Sequence, residues 1–395
     1  MRWVNVQEIY ADGKHNAWPD MCRWRDQYYV IFNSGGVGHA NGHSICLLSS
    51  TDCQRWEKVI ERPSMDWTVS TDATRGATCP KLLPTEDRLI VMFYYYAPGG
   101  AAVSEQQKGN LKRRWLELNC SEQSFERWID HHDVSFRTAL TFTEDGHTFS
   151  PPQPLFDASW RVWRPHTFEG RHYVIGFRCH GQSWEISPEL ERMIPDADSI
   201  EMFESASLFA SENGLQWSWV SDIGIDDNDE PDFDFTAEGR MLAVSRTGAS
   251  LSEDRPAMAY VSDPPYTDWQ RLTLSAPLNS PAVRRVGDQW VVVGRALVPG
   301  SERPARFAPD TAFDAYGPTR LWLLDDQNGK LTEGVTLPSW GDSAYPGIEV
   351  TEDGDLLVVY YSCSETIDAN LLMGPGPLPG KYAPTSIYLA RVVME

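Results

Sequence analysis

The chain repeats one pattern of apolar and polar positions six times. In each copy a proline stands at the start of a short strand-like run, a polar turn follows, and a more strongly apolar run comes next. Short β-rich runs on either side of a turn are typical of β-hairpins. The copies span Pro19 to Phe32, Pro80 to Tyr95, Pro165 to Phe177, Pro231 to Ser245, Pro281 to Gly294 and Pro346 to Tyr361. The pattern therefore predicts six antiparallel hairpins.

The spacing of the copies, roughly 50–85 residues, suits about four strands per unit. The sixth unit has only three predicted strands, and the opening run from Arg2 to Tyr10 is a spare strand that can complete it. Such pairing closes a ring and removes exposed strand edges. We therefore predict an all-β fold, a six-bladed β-propeller forming a single domain over residues 1–395, with the N-terminal strand in the last blade.

A second repeated feature is a polar turn that follows the third strand of several units. The segment from Thr143 to Phe149 has the pattern Thr-x-Asp-Gly followed by an aromatic residue, and the segment from Ser211 to Trp217 has Asn in place of Asp. The segment from Ser50 to Trp56 is a degenerate copy. Local side-chain-to-backbone hydrogen bonds explain these residues, so we assign them a structural role.

Two segments do not fit the repeated unit, one near residues 106–135 and the other near 181–201. The first is predicted to contain a short helix around Leu111 to Leu118. Long insertions in compact domains are usually binding loops or lids. We expect both segments to form walls of a binding site.

Charge and cysteine content narrow the class of protein. Asp and Glu number 56 against 34 Lys and Arg, a net charge of −22, which disfavours a nucleic-acid partner. This net charge is still compatible with an acidic substrate that is bound by a few local arginines. The seven cysteines lack metal-ligand spacing. The His131–Asp133 and Asp226–Asp234 runs match no known metal motif, so we expect neither metal nor cofactor.

The first ten residues lack the apolar core of a signal peptide, and no stretch approaches 18 apolar residues. These features predict a cytoplasmic protein without a membrane partner. If a signal segment has been removed from the sequence, a secreted or periplasmic protein is expected instead.

Candidate chemistry gathers where propeller topology brings six segments to one face. The segments leading into the innermost strands carry His15, Arg75, Arg164, Glu230 and the run from Asp342 to Tyr345. The segments leaving the second strands carry His39, Arg178, Arg246 and Arg295. Guanidinium groups bind carboxylate and sulfate in a bidentate manner. We therefore expect the arginines, with Asp342, to bind an anionic carbohydrate at the mouth of the central channel.

The order Glu230, Arg246, Arg295, Tyr345, together with turns of Asp-box type, resembles the bacterial and animal sialidases. The segment Gly341-Asp342-Ser343-Ala344-Tyr345-Pro346-Gly347 is similar to their nucleophile segment. A broader bacterial group of sialidase-like propellers is more similar still. The resemblance implies that Tyr345 is the nucleophile and Glu230 its base partner. A phenol needs such a base, because its ordinary pKa is near 10.

The sequence departs from the sialidases at two places. Ala17 occupies the position of the family's first carboxylate-binding arginine. The loop from Gly35 to His43, where the family has its acid/base Asp, contains no Asp or Glu. A histidine can act as the proton donor near neutral pH. We expect His39 or His15 to take this role.

Three functions remain open from the sequence. The leading hypothesis is an exo-acting glycoside hydrolase for an anionic sugar, which includes sialic or ulosonic, uronic and sulfated sugars. The second is a lyase, because a His/Tyr pair beside arginines suits β-elimination from a uronate. The third is a glycan-binding propeller without catalysis, which the two departures favour.

Overall fold

The computed structural model of the protein describes residues 1–36, 43–98, 134–156, 160–180, 202–224, 230–246, 257–296, 317–339, 342–363 and 384–394, with a few positions between 109 and 126. Within these residues the strands form six four-stranded antiparallel sheets. The fold is a six-bladed β-propeller, and the predicted fold class is confirmed.

Each blade has four hydrogen-bonded strands, which follow chain order from the innermost outwards in blades one to five. Blade one contains β2 (His15–Trp24), β3 (Gln27–Gly36), β4 (Ser44–Ser50) and β5 (Glu57–Pro63). Blade two contains β6 (Arg75–Pro84), β7 (Leu89–Pro98), β8 (Val134–Thr143) and β9 (Gln153–Pro154). Blade three contains β10 (Trp160–Phe168), β11 (Arg171–His180), β12 (Met202–Ser211) and β13 (Ser218–Asp222).

The other three blades follow the same plan. Blade four contains β14 (Asp232–Phe235), β15 (Met241–Ser245), β16 (Met258–Ser262) and β17 (Gln270–Thr273). Blade five contains β18 (Leu278–Val286), β19 (Gln289–Ala296), β20 (Thr319–Asp325) and β21 (Lys330–Thr336). Blade six contains β22 (Ala344–Val350), β23 (Leu356–Ser362), β24 (Ser386–Val393) and, as its outer strand, β1 (Arg2–Tyr10).

The ring closes between the first and last strands of the chain. β1 pairs antiparallel with β24, with Arg2 opposite Val393 and Tyr10 opposite Ile387. The sheet order β1-β24-β23-β22 is the closure predicted from the spare strand. Closure places the first strand at the outside of blade six, where it covers an edge that would otherwise be open.

Most innermost strands carry a kink immediately before the repeated proline. The residue before the proline has a left-handed backbone in five blades, at Trp18, Cys79, Glu230, Ser280 and Tyr345, with φ between 47° and 57°. Where this residue lies within a strand, the pairing register shifts at the kink. Proline has no N–H for the ladder, and a bulge re-aims the neighbouring side chain. At the kinks, the side chains of the pre-proline residues therefore depart from the ordinary alternation along a strand.

Neighbouring blades pack through apolar side chains. Between blades four and five, Leu242, Val292 and Trp322 belong to one buried cluster. Side chains from two sheets that interlock in this way form the core of a sheet-on-sheet arrangement. The apolar packing keeps the innermost strands at fixed positions around the channel.

The polar turns after the third strands share one hydrogen-bond scheme. The carboxylate of Asp145 accepts hydrogen bonds from the backbone N–H groups of His147 and Thr148, at 2.8 and 2.7 Å. Asn213 in blade three and Asp52 in blade one accept two equivalent bonds each. The side-chain oxygen thus satisfies backbone donors that the tight turn leaves unpaired.

The structure describes only a small part of the two predicted insertions. The segment 106–135 is largely, and the segment 181–201 entirely, outside the described residues. In the first, Lys112, Arg113 and Leu116 are helical, at positions where a short helix is expected. Within the described part of the chain, no helix has the length and apolar character needed to cross a membrane.

Candidate active site

The candidate active site contains a direct contact between Glu230 and Tyr345. Both stand immediately before a proline, and both have the left-handed backbone of the kink. The hydroxyl of Tyr345 donates a hydrogen bond to Oε1 of Glu230 at 2.7 Å. Left-handed backbone at non-glycine residues costs free energy and recurs at functional sites. The fold thus brings together two residues that lie 115 positions apart in the sequence.

Two guanidinium groups face the carboxylate of Glu230, whose side chain is 2% exposed. Nη1 of Arg246, which directly follows β15, lies 3.2 Å from Oε2. Nη2 of Arg161, on β10, lies 3.6 Å from Oε1. Burial of a carboxylate is costly unless a cation compensates it. The pair of arginines provides that compensation from two sides.

The phenol of Tyr345 is held in its protonated form. Burial raises its pKa well above the ordinary value, and the negative charge of Glu230 raises it further. Arg246 and Arg295 act in the opposite direction. The resting site therefore contains a phenol O–H directed at a carboxylate, which is the arrangement needed for proton transfer when the phenol oxygen attacks.

Arg295 is tied to the segment that leads into β22. Its Nη2 donates to Oδ1 of Asp342 at 2.9 Å, and its Nε donates to the backbone oxygen of Ser343 at 2.9 Å. The Tyr361 hydroxyl donates to the same Asp342 oxygen at 2.7 Å. Asp342 is thereby placed as the partner of Arg295, and the two fix the backbone just before Tyr345.

His15 lies beside this pair. Its Nε2 is 3.6 Å from Oδ2 of Asp342, and its ring stands edge-on to those of Trp18, His43 and Tyr361 at centroid distances of 6.1–6.4 Å. A histidine next to a carboxylate is well suited to hold and release a proton. His39, the other predicted proton donor, lies outside the described residues.

Two of the remaining predicted arginines have contacts of their own in the structure. Arg75 is buried, with its guanidinium 5.3 Å from the ring centre of Tyr96. Arg178 lies on β11, but its side chain is outside the described residues. Arg164 is fully buried and donates to Oδ1 of Asp20 at 2.8 Å and to the backbone oxygen of Pro346 at 2.8 Å.

Arg164 belongs to what we call the inner network, a largely buried set of charged and titratable side chains on the innermost strands. Its members are Asp20, Lys81, Arg164, His166, Asp232 and Arg284. Asp232 lies 2.7 Å from His166 Nε2, 3.1 Å from Arg284 Nη1 and 3.3 Å from Arg164 Nη1. The network links strands of five blades, and its arrangement is that of a structural ion-pair cluster.

Lys81 is the unusual member of the inner network. Its ammonium is buried, lies 4.9 Å from the ring centre of Trp163, and makes no hydrogen bond within the described structure. Burial, with the nearby charge of Arg164, lowers its pKa to about 8.

The described residues contain no group of three His, Cys, Asp or Glu side chains arranged to hold a metal ion.

Sequence reasoning missed Arg161 and its neighbour Trp163. The pattern places the start of this strand at Pro165, whereas β10 begins at Trp160. The signal was present in the Trp-Arg-Val-Trp run, since residues two apart on a strand share one face. That alternation places the Arg161 guanidinium 5.2 Å from the ring centre of Trp163.

Comparisons with known proteins identify the fold and leave the family open. No protein-family model and no curated protein matches the chain. A protein of unknown function from Dyadobacter fermentans is similar in structure, with a TM-score of 0.64 and 14% identity, over 100% of this chain and 99% of that one.

Two enzymes are also similar in structure. A mutant of Trypanosoma rangeli sialidase that displays trans-sialidase activity has a TM-score of 0.57 and 9% identity, over 98% of this chain and 58% of that one. The alpha-L-arabinanase of Penicillium chrysogenum, complexed with arabinobiose, has a TM-score of 0.57 and 12% identity, over 98% of each chain. At such identities the likeness establishes a shared propeller fold.

Proposed function

We propose that the chain is a glycoside hydrolase of sialidase-like type that removes an anionic sugar from the end of a glycan. Tyr345 is the nucleophile and Glu230 is its base. The observation that carries the proposal is the 2.7 Å hydrogen bond from the Tyr345 hydroxyl to a Glu230 carboxylate flanked by two guanidinium groups. A purely structural tyrosine does not need this arrangement.

The proposed reaction has two displacements. The phenol oxygen of Tyr345 attacks the anomeric carbon while its proton passes to Glu230, and the bond to the leaving-group oxygen breaks. His15 or His39 gives that oxygen a proton. Water then attacks the anomeric carbon of the glycosyl–tyrosine intermediate and gives its proton to the histidine that was deprotonated in the first step. The bond from the anomeric carbon to the phenol oxygen breaks, and Glu230 returns a proton to that oxygen. Two displacements retain the configuration at the anomeric carbon.

An anionic sugar fits the charge distribution of the site. Arg246 is the most exposed charged group of the described site, at 20%, whereas the carboxylates of Glu230 and Asp342 are each 2% exposed. An arriving ligand therefore meets a cation before it meets a carboxylate. In a chain with a net charge of −22, this local positive charge attracts a carboxylate or sulfate.

The structural neighbours support a glycan substrate in general terms. A sialidase and an arabinanase share the propeller fold, and both names describe proteins that act on glycans. Fold alone does not determine function, so the proposal depends on the site residues. Ala17 is fully buried at the place where the sialidases have an arginine, so the proposal extends to anionic sugars other than sialic acid.

An elimination reaction is the second candidate. Tyr361, Asp342 and His15 lie together beside Arg295. These four side chains provide an acid, a base and a cation in one place. Elimination from a uronate requires these three components. Its product is unsaturated and absorbs in the ultraviolet, so the two reactions are distinguishable.

The test is turnover of a panel of sialosides, uronates, sulfated glycosides and ulosonic-acid glycosides, with Tyr345→Phe beside the wild type. We expect release of a sugar that Tyr345→Phe reduces roughly 10²–10⁴-fold, the usual contribution of such a catalytic group. Tyr360→Phe is the matched control, because that hydroxyl binds the backbone oxygen of Pro338, and it should leave turnover unchanged.

Each other outcome points to another function. Unsaturated product alone would assign the lyase reaction. Binding of a panel sugar without turnover would assign a glycan-binding propeller. Sugar release that persists in Tyr345→Phe would remove this residue from the role of nucleophile.

A further inference from the structure

Arg161 occupies a rigid aromatic cage behind the catalytic pair. Its guanidinium carbon lies 4.3 Å from the ring centre of Tyr94, 5.2 Å from Trp163, 5.3 Å from Phe177 and 5.5 Å from Phe136. A guanidinium stacks well on aromatic faces, and such contacts hold a cation in place. The side chain is therefore fixed before any ligand arrives.

The carboxylate facing this cage is Glu230. Nη2 of Arg161 is 3.6 Å from Oε1, and the same oxygen accepts the hydrogen bond from Tyr345. Arg161 thus lies next to the oxygen that receives the proton. Arg246 contacts the other carboxylate oxygen and is the more exposed of the two arginines.

We propose that Arg161 is a positioning residue that holds the Glu230 carboxylate against Tyr345 while Arg246 turns to the anionic group of the substrate. This inference rests on the proposed function. A buried carboxylate cannot lose all of its cations without a large penalty. If Arg246 engages a ligand, Arg161 is the counter-ion that remains at Glu230, and the two arginines divide charge compensation and substrate binding between them.

Charged and titratable groups reach Glu230 from four blades. They are Arg161 in blade three, Arg246 at the end of β15, Tyr345 in blade six and the thiol of Cys79 in blade two. Among these, the arginines alone carry positive charge. Removal of Arg161 therefore leaves Arg246 as the one cation beside this carboxylate among the described residues, and Arg246 then has to compensate Glu230 and bind the substrate at the same time.

The activity experiment uses Arg161→Met, Arg161→Lys and Arg161→Ala. We expect Arg161→Met to lower kcat at least ~10-fold, with a smaller change in KM. Arg161→Lys should recover part of kcat. Guanidinium at tens of millimolar should restore turnover to Arg161→Ala, whereas urea, its uncharged analogue, should not. The control is Arg171→Ala, an exposed pair with Glu212 in the same blade.

A crystal structure of Arg161→Met tests the inference without any substrate. We expect the distance from the Tyr345 hydroxyl to Oε1 of Glu230 to exceed the roughly 3.5 Å limit of a hydrogen bond. A distance unchanged from 2.7 Å would overturn the positioning role. If the wild type cleaves nothing in the panel, the proposed function fails while this distance still decides the role of Arg161. Should Arg161→Met not fold, the same measurement on Arg161→Ala replaces it.

Discussion

Glu230 and Asp232 stand two positions apart, and both are buried carboxylates that contact arginines. Asp232 contacts His166, Arg164 and Arg284, and its Oδ2 also accepts the backbone N–H of Val283 at 2.9 Å. The partners that surround Asp232 are themselves buried or nearly so. Its oxygens are occupied by groups of the protein, and its role is to join blades.

Glu230 differs in the kind of partner it has. One oxygen accepts the Tyr345 hydroxyl, and the other faces the partly exposed Arg246. Both carboxylates are buried and both contact arginines, so these two properties do not distinguish them. The features that distinguish the candidate active site are a nucleophilic hydroxyl at hydrogen-bond distance and a cation within reach of a ligand.

The largest expected effect comes from exchanging each carboxylate for its amide. Asp232→Asn should lower the free energy of unfolding by about 3–5 kcal/mol, because it leaves buried cations without a counter-charge. Glu230→Gln should instead lower kcat roughly 10²–10⁴-fold in protein that still folds. Urea denaturation and turnover of the best panel substrate measure the two effects.

Each variant is the control for the other in this comparison. The folded fraction of Asp232→Asn should turn over substrate with a kcat near that of the wild type. If Asp232→Asn loses activity at full stability, or Glu230→Gln keeps full activity, the division between the inner network and the active site is wrong.

A smaller effect is expected at Lys81. Its folded-state pKa is about 8 and its ordinary value 10.5, so the native state carries a penalty for the charged form below pH 8. Lys81→Met should raise the free energy of unfolding at pH 6–7 by roughly 2–4 kcal/mol. The unfolded state binds the extra proton between pH 8 and 10.5, so the gain should fade over this window and vanish above it.

Thermal unfolding of both proteins at pH 6, 8 and 10.5 measures this difference. A gain of the same size at pH 6 and at pH 10.5 would mean that better packing, and not the buried charge, stabilises the variant.

The smallest effect is expected at Glu349, at the end of β22. Burial raises its pKa from 4.5 to about 7, although Arg284 acts against this. The native state retains the proton longer than the unfolded state, so this group lowers stability as the pH rises from 4.5 to 7. Because its side chain is only half-buried, Glu349→Gln should gain ~1 kcal/mol above pH 7 and nothing below pH 4.5. Denaturant titrations at pH 4.5 and 7.5 test this, and an equal effect at both values would contradict it.

The architecture was readable from the sequence because it depends on local signals. Each hairpin has its own turn residues and apolar runs, and the strand count left Arg2 to Tyr10 as the strand that closes blade six. These features do not require knowledge of distant contacts. The pairing of Glu230 with Tyr345 followed from the resemblance of their segments to a family, and the structure places them within hydrogen-bond distance.

The different roles of the arginines could not be predicted from the sequence. Arg161 and Arg164 lie on one strand, and a register shift between Val162 and Pro165 separates them. A one-residue shift interrupts the regular alternation of side chains along a strand. Arg164 contacts Asp20 in the inner network, and Arg161 contacts Glu230. A pattern of residue types does not reveal such a shift, and the proton donor predicted at His39 stays a prediction.

The pairing of β1 with β24 has a consequence for how the protein is made. A ribosome releases Arg2 to Tyr10 before Ser386 to Val393, so the first of these strands waits for its partner while the residues between them are synthesised. Blades one to five draw on contiguous stretches of chain and are free to form as they emerge. Blade six joins the two most distant stretches and is expected to form last, which makes it the slow step of folding. A nascent chain halted before residue 386 would carry five complete blades, the β22–β23 hairpin and the unpaired strand β1.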